Sequence, residues 1–144
     1  MLDEVEGYKV IYPIHKNPLV RAASDEIFGD CDRVKLIEPV NADELHNAIS
    51  RSFMVMTDSG GLQEEAPSLG KPVLVMRNET ERPEAVDAGT VKIAGVDEDI
   101  IYNMAKTLLT DEVEYSKMAK AVNPYGDGHA SERIVKAIVE KFNK

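Results

Sequence analysis

An open α/β fold, Rossmann-like with a parallel sheet and helices on both faces, is the architecture this sequence predicts. Two observations predict it. Short runs of β-branched and aliphatic residues recur along the chain, each bounded by breakers, and between them apolar residues return at spacings of three and four. Strands covered on both faces by helices read as such continuous apolar runs. Their alternation with helices implies parallel strands joined by right-handed crossovers.

The strand candidates, in order, are Lys9–Ile14 (KVIYPI), Val34–Glu38 (VKLIE), Phe53–Asp58 (FMVMTD), Pro72–Arg77 (PVLVMR) and Thr90–Ala94 (TVKIA). Helical spacing appears in Leu19/Ala22/Ala23/Ile27, Leu45/Ala48/Ile49 and Ile100/Met104/Leu108. The C-terminal third changes character: Asp97–Leu109, Asp111–Ala121 and Ala130–Phe142 all read as helices, with Asp127-Gly128 as the start signal of the last. Neither an internal repeat nor a linker interrupts the chain, so residues 1–144 read as one domain, within the usual size of roughly 100–200 residues.

Composition excludes several classes. With 43% hydrophobic residues the chain has material for a core, and its 30% charged residues are dispersed. The net charge of −9, from 26 acidic and 17 basic side chains, opposes nucleic-acid binding, which needs the reverse balance. Cys31 is the single cysteine, so an intramolecular disulfide or a cysteine zinc site is excluded. No apolar run approaches the roughly 20 residues of a membrane span. The acidic opening Met1-Leu2-Asp3-Glu4-Val5-Glu6-Gly7 lacks the layout of a signal peptide, and the expected location is the cytoplasm. No metal site and no cofactor is expected.

Open parallel sheets bind ligands at the C-terminal ends of their strands. There, Asp58-Ser59-Gly60-Gly61 leads from an apolar strand into Leu62-Gln63-Glu64-Glu65-Ala66. Glycines let a ligand approach the backbone, and a helix start offers N–H donors to a phosphate. Ser59 adds a hydroxyl, and Glu65, on the first turns of the helix, suits a ribose diol. The same residues also fit a plain Gly-containing turn with a capped helix. Arg82, among Glu79, Glu81 and Glu84, reads from charge alone as a surface ion pair. His46, inside a helix pattern, reads as structural, and His129 as a residue without chemical duty.

The longer string Thr57-Asp58-Ser59-Gly60-Gly61-Leu62-Gln63-Glu64-Glu65-Ala66-Pro67, followed by Gly70-Lys71-Pro72-Val73-Leu74, resembles the signature of the non-hydrolysing UDP-N-acetylglucosamine 2-epimerases. Tyr12-Pro13-Ile14-His15-Lys16-Asn17-Pro18, Glu79-Thr80-Glu81-Arg82-Pro83-Glu84-Ala85, and Asn123-Pro124-Tyr125-Gly126-Asp127-Gly128 with Ala130-Ser131-Glu132-Arg133-Ile134 resemble further motifs of that family in the same order. The likeness runs from about Tyr8 to Ile138.

The resemblance implies the C-terminal domain of a two-domain GT-B fold. It implies that Ser59, Gly60 and Arg82 hold the UDP phosphates, that Glu65 binds ribose, and that Val40 and Leu45 contact uracil. Leu45 stands where phenylalanine is frequent in the family, so aromatic stacking on the base is lost. His15 is implied to touch a second, allosteric UDP-GlcNAc; from the residues alone a histidine bonded to backbone is an equal reading. The family interconverts UDP-GlcNAc and UDP-ManNAc by eliminating and re-adding UDP, for which its acid/base carboxylates lie ahead of the motif matched at Tyr12. No catalytic residue is therefore expected in this stretch, and a separate N-terminal epimerase domain and UDP or UDP-GlcNAc are the expected partners; a homodimer is compatible.

Two other readings stand beside this one. The nucleotide-sugar half of a GT-B glycosyltransferase uses the same devices, although it is not expected to carry the Tyr-Pro-x-His-x-Asn-Pro and Asn-Pro-Tyr-Gly-Asp-Gly strings together. A non-catalytic module, whether UDP-sensing or flavodoxin-like, is permitted by the strand–helix alternation.

Overall fold

The computed structural model describes residues 4–142; Met1, Leu2 and Asp3 of the acidic opening stretch lie outside it, as do the last two residues of the 1–144 domain. Strands β1 (Val10–Pro13), β2 (Val34–Ile37), β3 (Val55–Thr57), β4 (Val73–Val75) and β5 (Val91–Ile93) occur within the five apolar runs. Helices α1 (Pro18–Phe28), α2 (Ala42–Arg51), α3 (Leu62–Ser68) and α4 (Pro83–Asp87) alternate with them, and α5 (Glu98–Thr110), α6 (Glu112–Ala119) and α7 (Ala130–Phe142) close the chain.

All strand pairing is parallel, in two ladders of order β1-β2 and β3-β4-β5. The center of the fold is β4, where Val73, Leu74 and Val75 are all 0% exposed. Successive residues of a strand face opposite sides. Val73 and Val75 accordingly join Ile49, Ala66 and Ala85, from α2, α3 and α4. Leu74 joins Ala105, Leu108 and Met118, from α5 and α6. Helices thus cover both faces, which is why the β4 run carries no polar position.

The β1–β2 ladder departs from the sequence expectation. Its apolar runs predict burial on both faces, yet Ile11 is 57% exposed, because β1 pairs with β2 and shares no ladder with β3. The two ladders meet at their N-terminal ends, where Tyr8 packs edge-on against Phe53 and Phe53 stacks on Tyr115. In α1 the apolar stripe is also outside: Leu19 and Ile27 are exposed, and Ser24 is the buried residue, its hydroxyl donating to the Val20 carbonyl. The spacing identified the helix but not its buried face. Arg21 on α1 grips Glu38, just past β2, through two hydrogen bonds of 2.7 and 2.6 Å.

Helix α7 starts at Ala130, two residues after the expected Asp127-Gly128 signal. Asp127 instead accepts from the His129 N–H and pairs bidentately with Arg133. No residue of α7 is buried, and Ile134, Val135, Ile138, Val139 and Phe142 form an exposed apolar face. Among the described residues no helix is long and apolar enough to cross a membrane.

Candidate functional site

The C-terminal ends of β3 and β4 deliver the two loops that build the site. After β3, the buried Thr57 accepts the Ser59 N–H on its hydroxyl at 3.0 Å, which turns the chain sharply into Gly60 and Gly61. Neither glycine has a positive φ, so backbone conformation does not demand glycine at either place. What the missing side chains provide is access. A Cβ on Gly61 would meet Glu65 Oε1 at 3.4 Å and Ser59 Oγ at 3.9 Å, so both polar groups flank this bare Cα.

Four helix starts are closed by side chains: Asn17, Asn41, Asp97 and Asp111 cap α1, α2, α5 and α6. The starts of α3 and α4 have no side-chain cap, with Gly61 and Arg82 at the cap positions. A helix start favors an anion through its dipole, although at α3 the Gln63 and Glu64 N–H groups already donate to the Gly60 and Gly61 carbonyls. These two starts belong to the two loops that carry Ser59, Gly60 and Arg82.

A buried polar relay fixes one loop against the other. Gln63 is 0% exposed; its amide donates to the Ser59 carbonyl at 3.3 Å, and its Oε1 accepts from the Thr80 hydroxyl at 2.5 Å. Thr80 in turn accepts the Arg82 N–H at 3.0 Å. The Arg82 side chain donates through Nε to Glu64 and through a terminal nitrogen to the Glu81 carbonyl. Its hydrogen bond to Glu64 raises the guanidinium pKa above its already high value, so the group is a permanent cation. Glu81, flanking Arg82, is bound bidentately by Arg77 and held below the ordinary carboxylate range. The surface pairing predicted from the charge pattern does exist, but the acidic partner of Arg82 is Glu64, across the site.

Glu65 pairs with His46 at 2.9 Å, a contact between α3 and α2. The sequence reading of His46 as a structural residue gains a partner: the ring, about half exposed, bridges α2 to α3 by meeting the carboxylate expected to bind ribose. Leu45, the preceding residue, is partly buried and packs against the Ile49–Val75 core, so at least part of its side chain is committed to packing. Val40 is half-buried ahead of α2. His15 is exposed on the loop after β1, and its Nδ1 accepts the Asn17 N–H at 3.1 Å, the backbone-bonded reading of that histidine. Tyr125 completes the surroundings of Arg82: its ring packs on the core beside Ala85, and burial, with Glu84 and Glu64 near, pushes its hydroxyl pKa up.

Ser59 and Glu65 thus flank Gly61, and the Gln63–Thr80 relay links their loop to the one that carries Arg82, whereas His15 lies on the loop after β1. Sequence reasoning missed Gln63, Glu64 and Thr80 as site builders and did not foresee the partner of His46. Gln63 lay within the quoted signature, but only burial distinguishes it from an exposed glutamine.

Matching against known proteins accords with this geometry. The model of the UDP-N-acetylglucosamine 2-epimerase family matches residues 1–139. The chain belongs to that family. A UDP-N-acetylglucosamine 2-epimerase of Bacillus subtilis is 58% identical over 139 residues, 96% of this chain and 37% of the relative. A crystal structure of a UDP-N-acetylglucosamine 2-epimerase superposes with a TM-score of 0.92 at 57% identity, covering 98% of this chain and 38% of that one. The S. aureus MnaA–UDP co-structure superposes at 0.89 with 51% identity, covering 98% and 39%. The chain therefore spans well under half the length of these epimerases, and the stretch it matches is their C-terminal part.

Proposed function

We propose that this chain is the nucleotide-holding half of a UDP-GlcNAc 2-epimerase. The observation that carries the reading is the convergence of Ser59 Oγ and Glu65 Oε1 on the bare Cα of Gly61, at an uncapped helix start. Backbone donors of the turn and the Ser59 hydroxyl suit a diphosphate, a carboxylate suits a ribose diol, and a guanidinium suits phosphate oxygens. In this reading Ser59, Gly60 and Arg82 hold the phosphates of UDP and Glu65 holds its ribose. Val40 and the exposed part of Leu45 border the uracil, and His15 belongs to a second UDP-GlcNAc site.

The complete enzyme interconverts UDP-GlcNAc and UDP-ManNAc in the cytoplasm, supplying cell-surface polysaccharide synthesis. Removing and returning the C2 proton requires positioned acid/base groups. Those groups come from the N-terminal domain of the longer relatives, and this half supplies the grip on UDP as it leaves and re-adds. The exposed apolar face of α7 is where that other domain packs.

Calorimetric titration of the chain with UDP tests the proposal, with Ser59→Ala and Glu65→Ala as controls. Saturable binding weakened by each substitution is the expected result. Absence of binding at millimolar UDP, or binding indifferent to both substitutions, would overturn it.

A further inference from the structure

We infer that His46 is a positioning residue for nucleotide recognition, holding the Glu65 carboxylate in the pose that reads the ribose 2′-hydroxyl. The inference rests on the nucleotide reading above and assigns to α2 a part in it.

The geometry begins with the start of α2. Asn41 and Glu44 form a reciprocal capping box, Asn41 accepting the Glu44 N–H at 2.9 Å and Glu44 accepting the Asn41 N–H at 3.3 Å. This sets the helical phase at the first turn. Ile49, 4% exposed, then locks that phase into the core against Ala66 of α3. His46 precedes Ile49 by three residues and shares its side of the helix, so docking Ile49 carries the imidazole toward α3. On α3, Glu65 immediately precedes the fully buried Ala66. The 2.9 Å contact between His46 Nε2 and Glu65 Oε2 is thus set by two packed helices rather than by two free side chains finding each other. A carboxylate only accepts, so Nε2 carries the hydrogen.

The pairing divides the work of the carboxylate. Oε2 is held by His46, while Oε1 lies over Gly61, the bare position that Ser59 Oγ also flanks. A glutamate 43% exposed on a short helix otherwise samples many rotamers, and binding would have to order it. An imidazole on a packed helix has two torsions and removes much of that ordering before the ligand arrives. An ordinary half-exposed pair contributes little by itself. His46 matters through where it leaves Oε1.

The test is calorimetric titration of the chain with UDP and with 2′-deoxy-UDP. The wild-type chain should prefer UDP by about tenfold, the scale of one charge-assisted hydrogen bond. His46→Ala should lose most of that preference by weakening UDP, with 2′-deoxy-UDP affinity within about twofold of wild type. His46→Gln, whose amide nitrogen reaches close to the Nε2 position, should restore it. Equal weakening of both ligands by His46→Ala would show a merely structural residue and overturn the inference, as would an unchanged ratio. A wild-type chain that binds no UDP would overturn the nucleotide reading itself, a result distinct from UDP binding with a ratio insensitive to His46.

Discussion

Gln63 and Thr80, seventeen residues apart, are joined by a 2.5 Å hydrogen bond from the Thr80 hydroxyl to a glutamine that is entirely buried. Through the Ser59 carbonyl on one side and the Arg82 N–H on the other, this bond ties the loop after β3 to the loop after β4. In this architecture the relative placement of the loops carrying Ser59 and Arg82 is an interior property, set beneath the surface proposed to meet the nucleotide.

Breaking the relay on one side should therefore cost both stability and binding. Gln63→Leu strands the Thr80 hydroxyl and the Ser59 carbonyl, and a lowered unfolding free energy of about 1–3 kcal/mol is expected by urea denaturation. The double substitution Gln63→Leu/Thr80→Val removes the stranded hydroxyl and should recover part of the stability. It should not recover UDP affinity, since Arg82 loses its anchor. Full recovery of both would refute a positioning role.

The core prediction concerns β4. Leu74 is 0% exposed between α5 and α6, and Leu74→Ala should destabilize the chain by about 2–5 kcal/mol in the same denaturation experiment. A loss below about 1 kcal/mol would mean that α5 and α6 collapse into the space.

Acid should weaken the fold in a defined window. Lys106 and Tyr102 hold Glu4, Arg21 holds Glu38, Arg77 holds Glu81, Lys117 and Lys92 hold Glu114, and Arg133 holds Asp127, each below its ordinary pKa by hydrogen bonding to its carboxylate. A carboxylate depressed in the folded state contributes stability that is present above its unfolded pKa and lost as pH falls through the folded one. Melting temperature should hold from pH 7 to about 5, then fall below about pH 4.5, where unfolded carboxylates begin to take up protons. These pairs are exposed, so the acid slope should shrink in about 1 M salt. A melting temperature that already falls between pH 7 and 5 would refute the assignment of the acid loss to these pairs.

On α7, Ile134, Val135, Ile138, Val139 and Phe142 lie on one helical face, and none is buried. Ile134→Glu/Ile138→Glu should leave the unfolding free energy of the chain within about 0.5 kcal/mol per substitution, as surface changes do. Sedimentation should show the parent chain associating as concentration rises and the double variant remaining monomeric. A large loss of stability would mean that this face is packed within the chain itself.

The strand–helix alternation, the five apolar runs and the ordered motifs were legible in the sequence, because periodicity and breakers are local and a signature of this length seldom arises by coincidence. The candidates Ser59, Gly60, Glu65 and Arg82, proposed above to hold the nucleotide, were picked out for the same reason, each sitting in a string whose turn and helix can be read residue by residue. The exposure of Ile11, Leu19 and Ile27 was not, because an apolar residue states what it prefers and only the neighboring elements decide what covers it. Nor was the pairing of His46 with Glu65, of Arg82 with Glu64, or of Gln63 with Thr80. Each joins residues seventeen to nineteen positions apart on different elements, and such contacts exist only after β3 and β4 have paired and the helices have docked on them. The sequence by itself determined the kind of sheet and the residues proposed to grip a nucleotide. Tertiary structure decided how those residues are aimed, because the direction of a half-exposed side chain is set by partners that the chain brings together only on folding.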